Sequence, residues 1–218
     1  MSAQPSAASL RVLGVDPGTL RTGWGVIERK GRIPTFCAAG VITAKGFRSL
    51  PERLRMIYAG LVEVIDQWQP QVLSLEKAFL AYNVQSALRL GEARGVALLA
   101  AAQAGLRIAE YNPTEIKTAV VSYGRADKLQ VQKAVFALLG TSRAPETLGF
   151  PVSQDATDAL AAALCHFNSS RLVEQIRAAT IKEGRPTERD SERLQLLHSA
   201  FQKRSLPRSV PAVFKAGR

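Results

Sequence analysis

The spacing of apolar positions shifts from strand-like to helix-like as the chain proceeds. Residues 10–16, LRVLGVD, form a short β-rich run that ends at Asp16, where Pro17-Gly18-Thr19 breaks it. Two further runs, Gly23–Ile27 and Phe36–Ile42, are joined through Lys30-Gly31 and read as antiparallel neighbours of the first. From Ser49 the period changes. Ser49-Leu50-Pro51-Glu52 has the form of a capping box, and Leu50, Leu54, Ile57, Leu61, Val64, Ile65 and Trp68 recur at helical spacing until Pro70 stops them. Val72–Glu76 returns to a strand, Val84–Ala104 predicts a helix rich in small residues, and Leu106–Tyr111 predicts a fifth strand. Asn112-Pro113-Thr114-Glu115 offers helix-start chemistry, Asp127 caps a helix through Leu139, and a last helix is expected from about Gln154 to about Asn168.

Three strands in series, then alternating helices and strands, predict a single-domain α/β fold: a five-stranded mixed sheet with an antiparallel edge, flanked by helices. In such sheets the active crevice lies beyond the carboxyl ends of the parallel strands. Residues 1–9 carry neither a basic opening nor an apolar stretch, and are expected to be a disordered lead-in to a domain spanning 10–170. Residues 171–218 hold eleven Lys and Arg against five Asp and Glu, with no acid after Glu192, and predict a basic extension that is partly disordered.

Charge narrows the partners. At 218 residues and 46% hydrophobic, the chain can bury one real core, while a net charge of +11 and a pI near 10.2 call for a polyanion, either nucleic acid or an anionic membrane surface. The longest apolar run, Val96–Ala102, is far too short to span a bilayer, which weakens the membrane alternative. A cytoplasmic, nucleoid-associated protein is expected. Cys37 and Cys165 lie in apolar surroundings and are expected to be reduced, buried thiols; zinc is not expected.

The candidate chemistry sits in four carboxylates. Asp16 and Glu76 each end an apolar strand, where an ionised group is costly unless paired or bound to a cation. Taken singly, Asp16 could serve a turn and Glu76 a local ion pair with Lys77. Asp155 and Asp158, spaced i and i+3, share one face of the last helix's first turn, where N-capping is the structural alternative. Together, two strand ends and a helix start can converge on one crevice, and like charges gathered there need cations. Hard oxygen donors suit Mg²⁺ or Mn²⁺, and two such ions can hydrolyse a phosphodiester without a covalent nucleophile.

The motif Gly14-Val15-Asp16-Pro17-Gly18-Thr19, continuing through Thr22-Gly23-Trp24-Gly25-Val26-Ile27, resembles the opening motif of the RuvC Holliday-junction resolvases. Leu75-Glu76-Lys77-Ala78-Phe79 with Asn83, followed by Ser86 to Val96, is similar to that family's second block. Lys117 to Val121 with Ala126 to Val131 follows the third, and Asp155-Ala156-Thr157-Asp158-Ala159-Leu160 the fourth. The resemblance covers residues 10 to 168 in order. It implies an RNase H-like fold, a metal-binding catalytic quartet of Asp16, Glu76, Asp155 and Asp158 holding two Mg²⁺ or Mn²⁺ ions, and a homodimer that nicks four-way junction DNA symmetrically. It also implies that Lys117 and Lys128 face the scissile phosphate and that Phe79 stacks near the junction centre. Asn83, Arg89 and Arg125 are further candidates for DNA contact, and the charges of Arg89 and Arg94 could serve phosphate contact, pairing with Glu92 or the dimer interface. Branch-migration motors are implied as partners.

Two departures and two alternatives complete the picture. His166 falls three turns beyond Asp155 and is expected to pack or to face solvent, and no histidine stands beside the final aspartate pair, where Thr157 is found. Asp16-Pro17-Gly18-Thr19 also resembles the phosphate loop of actin-like ATPases, although no second such loop is present. A DNA-binding module that has lost catalysis would keep the basic charge but would not need all four carboxylates.

Overall fold

The computed structural model describes residues 9–30, 33–77, 84–121, 127–140 and 153–182, with residues 30 and 171–182 described by backbone alone. In chain order its elements are β1 (Leu10–Asp16), β2 (Arg21–Lys30), β3 (Ile33–Thr43), α1 (Leu50–Trp68), β4 (Val72–Glu76), α2 (Val84–Gln103), β5 (Arg107–Tyr111), α3 (Pro113–Val121), α4 (Lys128–Leu138) and α5 (Gln154–Lys182). The strands form one mixed sheet in the order β3-β2-β1-β4-β5. The hairpins β1–β2 and β2–β3 are antiparallel, whereas β1–β4 and β4–β5 are parallel, so the antiparallel edge expected from three strands in series is present.

Side chains on a strand alternate between faces, and here each face has its own core. Val12, Ile27, Val72, Ala109 and Tyr111 point to the side covered by α3, α4 and α5, where they meet Ile116, Val135, Leu160 and Phe167. Leu13, Val15, Val26, Leu73, Leu75 and Ile108 point the other way, onto Ile57 and Leu61 of α1 and Ala97 and Ala101 of α2. Removing this apolar surface from water at about 25 cal/mol per Å² is what holds the layers together.

The seam between sheet and α5 is unusually close. A Cβ added at Gly14 would overlap the carbonyl oxygen of Ala159, and one at Gly23 would overlap that of Asp155. At Gly25 it would lie 2.6 Å from the Leu160 side chain. Glycine at these positions lets a helix backbone lie directly on a strand backbone. Ser74 adds a clamp, its buried Oγ donating to the Ala162 carbonyl at 2.7 Å.

Local signals account for several element ends. Ser49 and Glu52 form the reciprocal capping box expected at the start of α1, and Asp127 and Gln130 form another at α4. Three extents differ from the sequence reading. Strands β2 and β3 run longer, because their pairing continues onto polar residues from Arg21↔Thr43 to Lys30↔Ile33. Helix α5 continues past Asn168 to Lys182. Asn168 and Ser170 do not stop it, because Asn168 Nδ2 donates to the Ala119 carbonyl and Ser170 Oγ to the Phe167 carbonyl, which satisfies polar groups that otherwise compete with the helix. Neither cysteine forms a disulfide; Cys165 is buried as expected, whereas Cys37 is only partly so, since β3 is an edge strand of the sheet among the described residues.

Candidate active site

The register of the parallel pair positions the first two carboxylates. Val15 pairs with Leu75, so Asp16 and Glu76, next along each chain, stand side by side at adjacent strand ends, about 5 Å apart by strand spacing. Alternation then sets their face. Asp16 shares parity with Val12 and Gly14, and Glu76 with Val72 and Ser74, so both project toward α5.

Helix α5 supplies the other two. Ser153 caps it, its Oγ accepting from the Ala156 backbone N–H at 3.3 Å, so capping needs neither aspartate. Asp155 and Asp158 are thereby left on the face that Gly23 and Gly14 bring against the sheet.

Electrostatics show that the four groups share one space. Burial, joined by the charges of Asp158, Glu76 and Asp155, raises the Asp16 carboxyl from 3.8 to about 7 against the opposing charge of Lys128. Asp158 is raised by burial and by Asp155, with Lys128 and Lys117 opposing. Glu76 is the most open of the four, yet the partial burial of its carboxyl and the charge of Asp158 raise it too, against Lys117. Like charges packed this closely stay ionised only if a cation joins them.

Lys117 of α3 and Lys128 of α4 line a cavity of about 300 Å³ together with Glu76, Asp158, Pro113, Ile116, Val131 and Ala161. Both lysines therefore share a cavity wall with two of the carboxylates. The donor chemistry fits a hard divalent cation, with carboxylate oxygens only and space for water. The side chains do not converge on one point: among the described residues, no three His, Cys, Asp or Glu groups are spaced to hold a single ion. Asp155 Oδ2 accepts from Arg21 Nε at 2.6 Å.

Arg21 is the residue that sequence reasoning missed. The only signal was its parity with Gly23 and Gly25 on β2, which becomes legible once the hairpin register is known. Arg94, with three candidate roles in the sequence, forms an ion pair with Glu110 of β5, which fixes α2 to the sheet. His166 packs rather than facing solvent. It is buried with its Nδ1 2.8 Å from the Tyr111 hydroxyl, and burial, with Arg107 and Arg29 nearby, pushes it down to about 4, so it is neutral at ordinary pH. Arg89 lies exposed on α2. Phe79, Asn83 and Arg125 lie outside the described residues.

Comparison with known proteins gives a consistent result. The family described as "Crossover junction endodeoxyribonuclease RuvC" matches residues 12–166. A protein of that name from Magnetococcus marinus is 45% identical over 176 residues, 81% of this chain and 94% of the relative. Its namesake from Parvibaculum lavamentivorans is 46% identical, covering 81% and 97%. Among solved structures, T. thermophilus RuvC in complex with a Holliday junction substrate superposes with a TM-score of 0.68 at 30% identity, over 75% of this chain and 96% of that one. The yeast mitochondrial Holliday junction resolvase Ydc2 matches with a TM-score of 0.55 at 12% identity, covering 82% and 88%, a likeness of fold.

Proposed function

The chain belongs to the RuvC family of crossover junction endodeoxyribonucleases, and from that premise we propose how its own residues resolve a four-way junction. It is an endonuclease of RNase H-like fold that acts in DNA recombination and repair. Asp16, Glu76, Asp155 and Asp158 would hold two Mg²⁺ or Mn²⁺ ions. When bound, such ions activate water toward a phosphodiester and stabilise the leaving oxygen. The observation that supports this is geometric: Asp16 and Glu76 stand at adjacent strand ends and Asp158 lines one cavity with Glu76, Lys117 and Lys128, in keeping with burial and neighbouring acids raising Asp16, Glu76 and Asp158.

The remaining residues position the strand. Lys117 and Lys128, at the wall of the cavity, hold the scissile phosphate against the carboxylates and oppose the upward shift of the neighbouring acids. Phe79, Asn83, Arg89 and Arg125 contact the junction around it. The basic segment from Arg171 onward, with a net excess of six positive charges, adds sequence-independent affinity by releasing counterions from DNA. No helix among the described residues is long and apolar enough to cross a membrane, and we place the protein in the cytoplasm on the nucleoid.

A two-fold substrate calls for a two-fold enzyme. On α2, Val84, Leu88 and Leu99 are 74%, 62% and 52% exposed. Gly91 and Gly95 lie on the same stripe, and a Cβ at either would meet nothing within 4 Å among the described residues. This uncovered helix face supports a homodimer built by crossing α2 with its copy. Branch-migration motors would then act on the junction arms that such a dimer leaves free.

Asp16→Asn tests the proposal on a synthetic junction with Mg²⁺ or Mn²⁺. Junction binding is expected to persist while cleavage disappears; cleavage at the wild-type rate would remove the metal role.

A further inference from the structure

Among the described residues, Arg21 is the cation that hydrogen-bonds directly to one of the four carboxylates, through Nε to Asp155 Oδ2 at 2.6 Å. Lys117 and Lys128 bear on the same acids through charge. The contact is built into the fold. Gly23 presses against the Asp155 backbone, and Arg21 lies two residues earlier on the same face of β2, so the guanidinium is delivered to the start of α5. The pair spans 134 residues of sequence, and its side chains are 39% and 33% exposed, open enough to exchange with solvent.

A guanidinium donating to a carboxylate oxygen uses the lone pairs that a divalent cation needs. Arginine stays charged at any ordinary pH, so it cannot leave by losing a proton. The oxygen must be surrendered by movement of one side chain.

We propose that Arg21 is a positioning residue that competes with divalent ions for the Asp155 carboxylate, so that the oxygen it holds is yielded as ions enter. This rests on the metal-binding role of the quartet. Arg21 neutralises one of four crowded acids and opposes loading in two ways: it occupies a ligand oxygen, and it adds positive charge beside the incoming ion. The site therefore fills at a higher metal concentration than its carboxylates alone would require.

Mn²⁺ binding to the full chain, followed by the electron paramagnetic resonance signal of the free ion, tests this without relying on cleavage. A partly exposed ion pair is worth a factor of up to about five, so R21Q should bind Mn²⁺ about fivefold more tightly than wild type. R21K keeps the charge but loses the fork, should fall between the two, and serves if R21Q does not fold. The gain should vanish when R21Q is combined with D155N. As a second readout, saturating Mg²⁺ should shift the Arg21 Nε–Hε resonance of the wild-type protein. If D16N weakens Mn²⁺ binding but both Arg21 variants match wild type or bind more weakly, the inference fails and the metal site stands. Mn²⁺ binding unchanged in D16N overturns the metal site and this inference with it, and an Arg21 resonance indifferent to Mg²⁺ overturns the inference alone.

Discussion

Asp16→Asn should make the metal-free protein more stable, and by an amount that depends on pH. In the folded chain Asp16 keeps its proton up to about 7, whereas an unfolded chain loses it near the ordinary value of 3.8. Between those values the folded state binds more protons than the unfolded state. Stability contributed by this group is therefore full below 3.8, falls as pH rises through the window, and is level above about 7. The interval corresponds to about 4 kcal/mol if expressed in full. Asp16 is only partly enclosed, and solvent screens its neighbours, so about 2 kcal/mol is the expected cost. Asparagine has nearly the same shape without the charge. In urea unfolding with chelator present, Asp16→Asn should gain about 2 kcal/mol near pH 8 and less than about 1 kcal/mol near pH 5. Added Mg²⁺ should stabilise wild type near the higher pH and leave the variant almost unmoved. A variant no more stable than wild type near pH 8, or a gain that does not shrink on acidification, would falsify the account of a charged, crowded Asp16.

Further outcomes follow from other parts of the molecule. Gly14→Ala sets a methyl group against the Ala159 carbonyl; it should cost about 2–3 kcal/mol in denaturant unfolding and reduce cleavage by displacing α5, and a neutral effect would refute the close seam. Lys117→Met should slow single-turnover junction cleavage roughly a hundredfold while weakening junction binding by less than about tenfold; equal losses in both would show a role in binding alone. Leu88→Glu puts a charge on the uncovered α2 face, and sedimentation should show monomers at concentrations where wild type is dimeric, whereas an unchanged dimer places the interface elsewhere. Deleting residues 183–218 should flatten the dependence of junction affinity on salt, and an unaltered slope would leave the tail without a DNA role.

Much of the sheet was legible because its signals are local. Asp16 follows an apolar run and precedes Pro17-Gly18, and Glu76 ends another, so two parallel strand ends bearing acids were readable from the sequence. Ser49 and Glu52 announced α1 by a chemistry that acts over one turn. The reading stopped where the partner is distant. Nothing near Arg21 points to Asp155, and nothing near Arg94 points to Glu110, because both pairs depend on how layers stack. The end of α5 was misjudged for a related reason: Asn168 and Ser170 favour a stop by propensity, yet their side chains find partners at Ala119 and Phe167. N-capping stood as the structural alternative for Asp155 and Asp158; the fold gives that task to Ser153, whose Oγ accepts from the Ala156 N–H.

The glycine seam under α5 has a consequence for how this catalyst tolerates change. With Gly14, Gly23 and Gly25 stripped of side chains, the gap between β1–β2 and the start of α5 is gauged largely by main-chain atoms meeting one another. Main-chain radii are the same whatever residues fill the interior elsewhere. Lineages can thus exchange leucine for isoleucine or methionine in either core layer, at some expense in melting temperature, while the separation between the strand-borne and helix-borne acids holds its calibration.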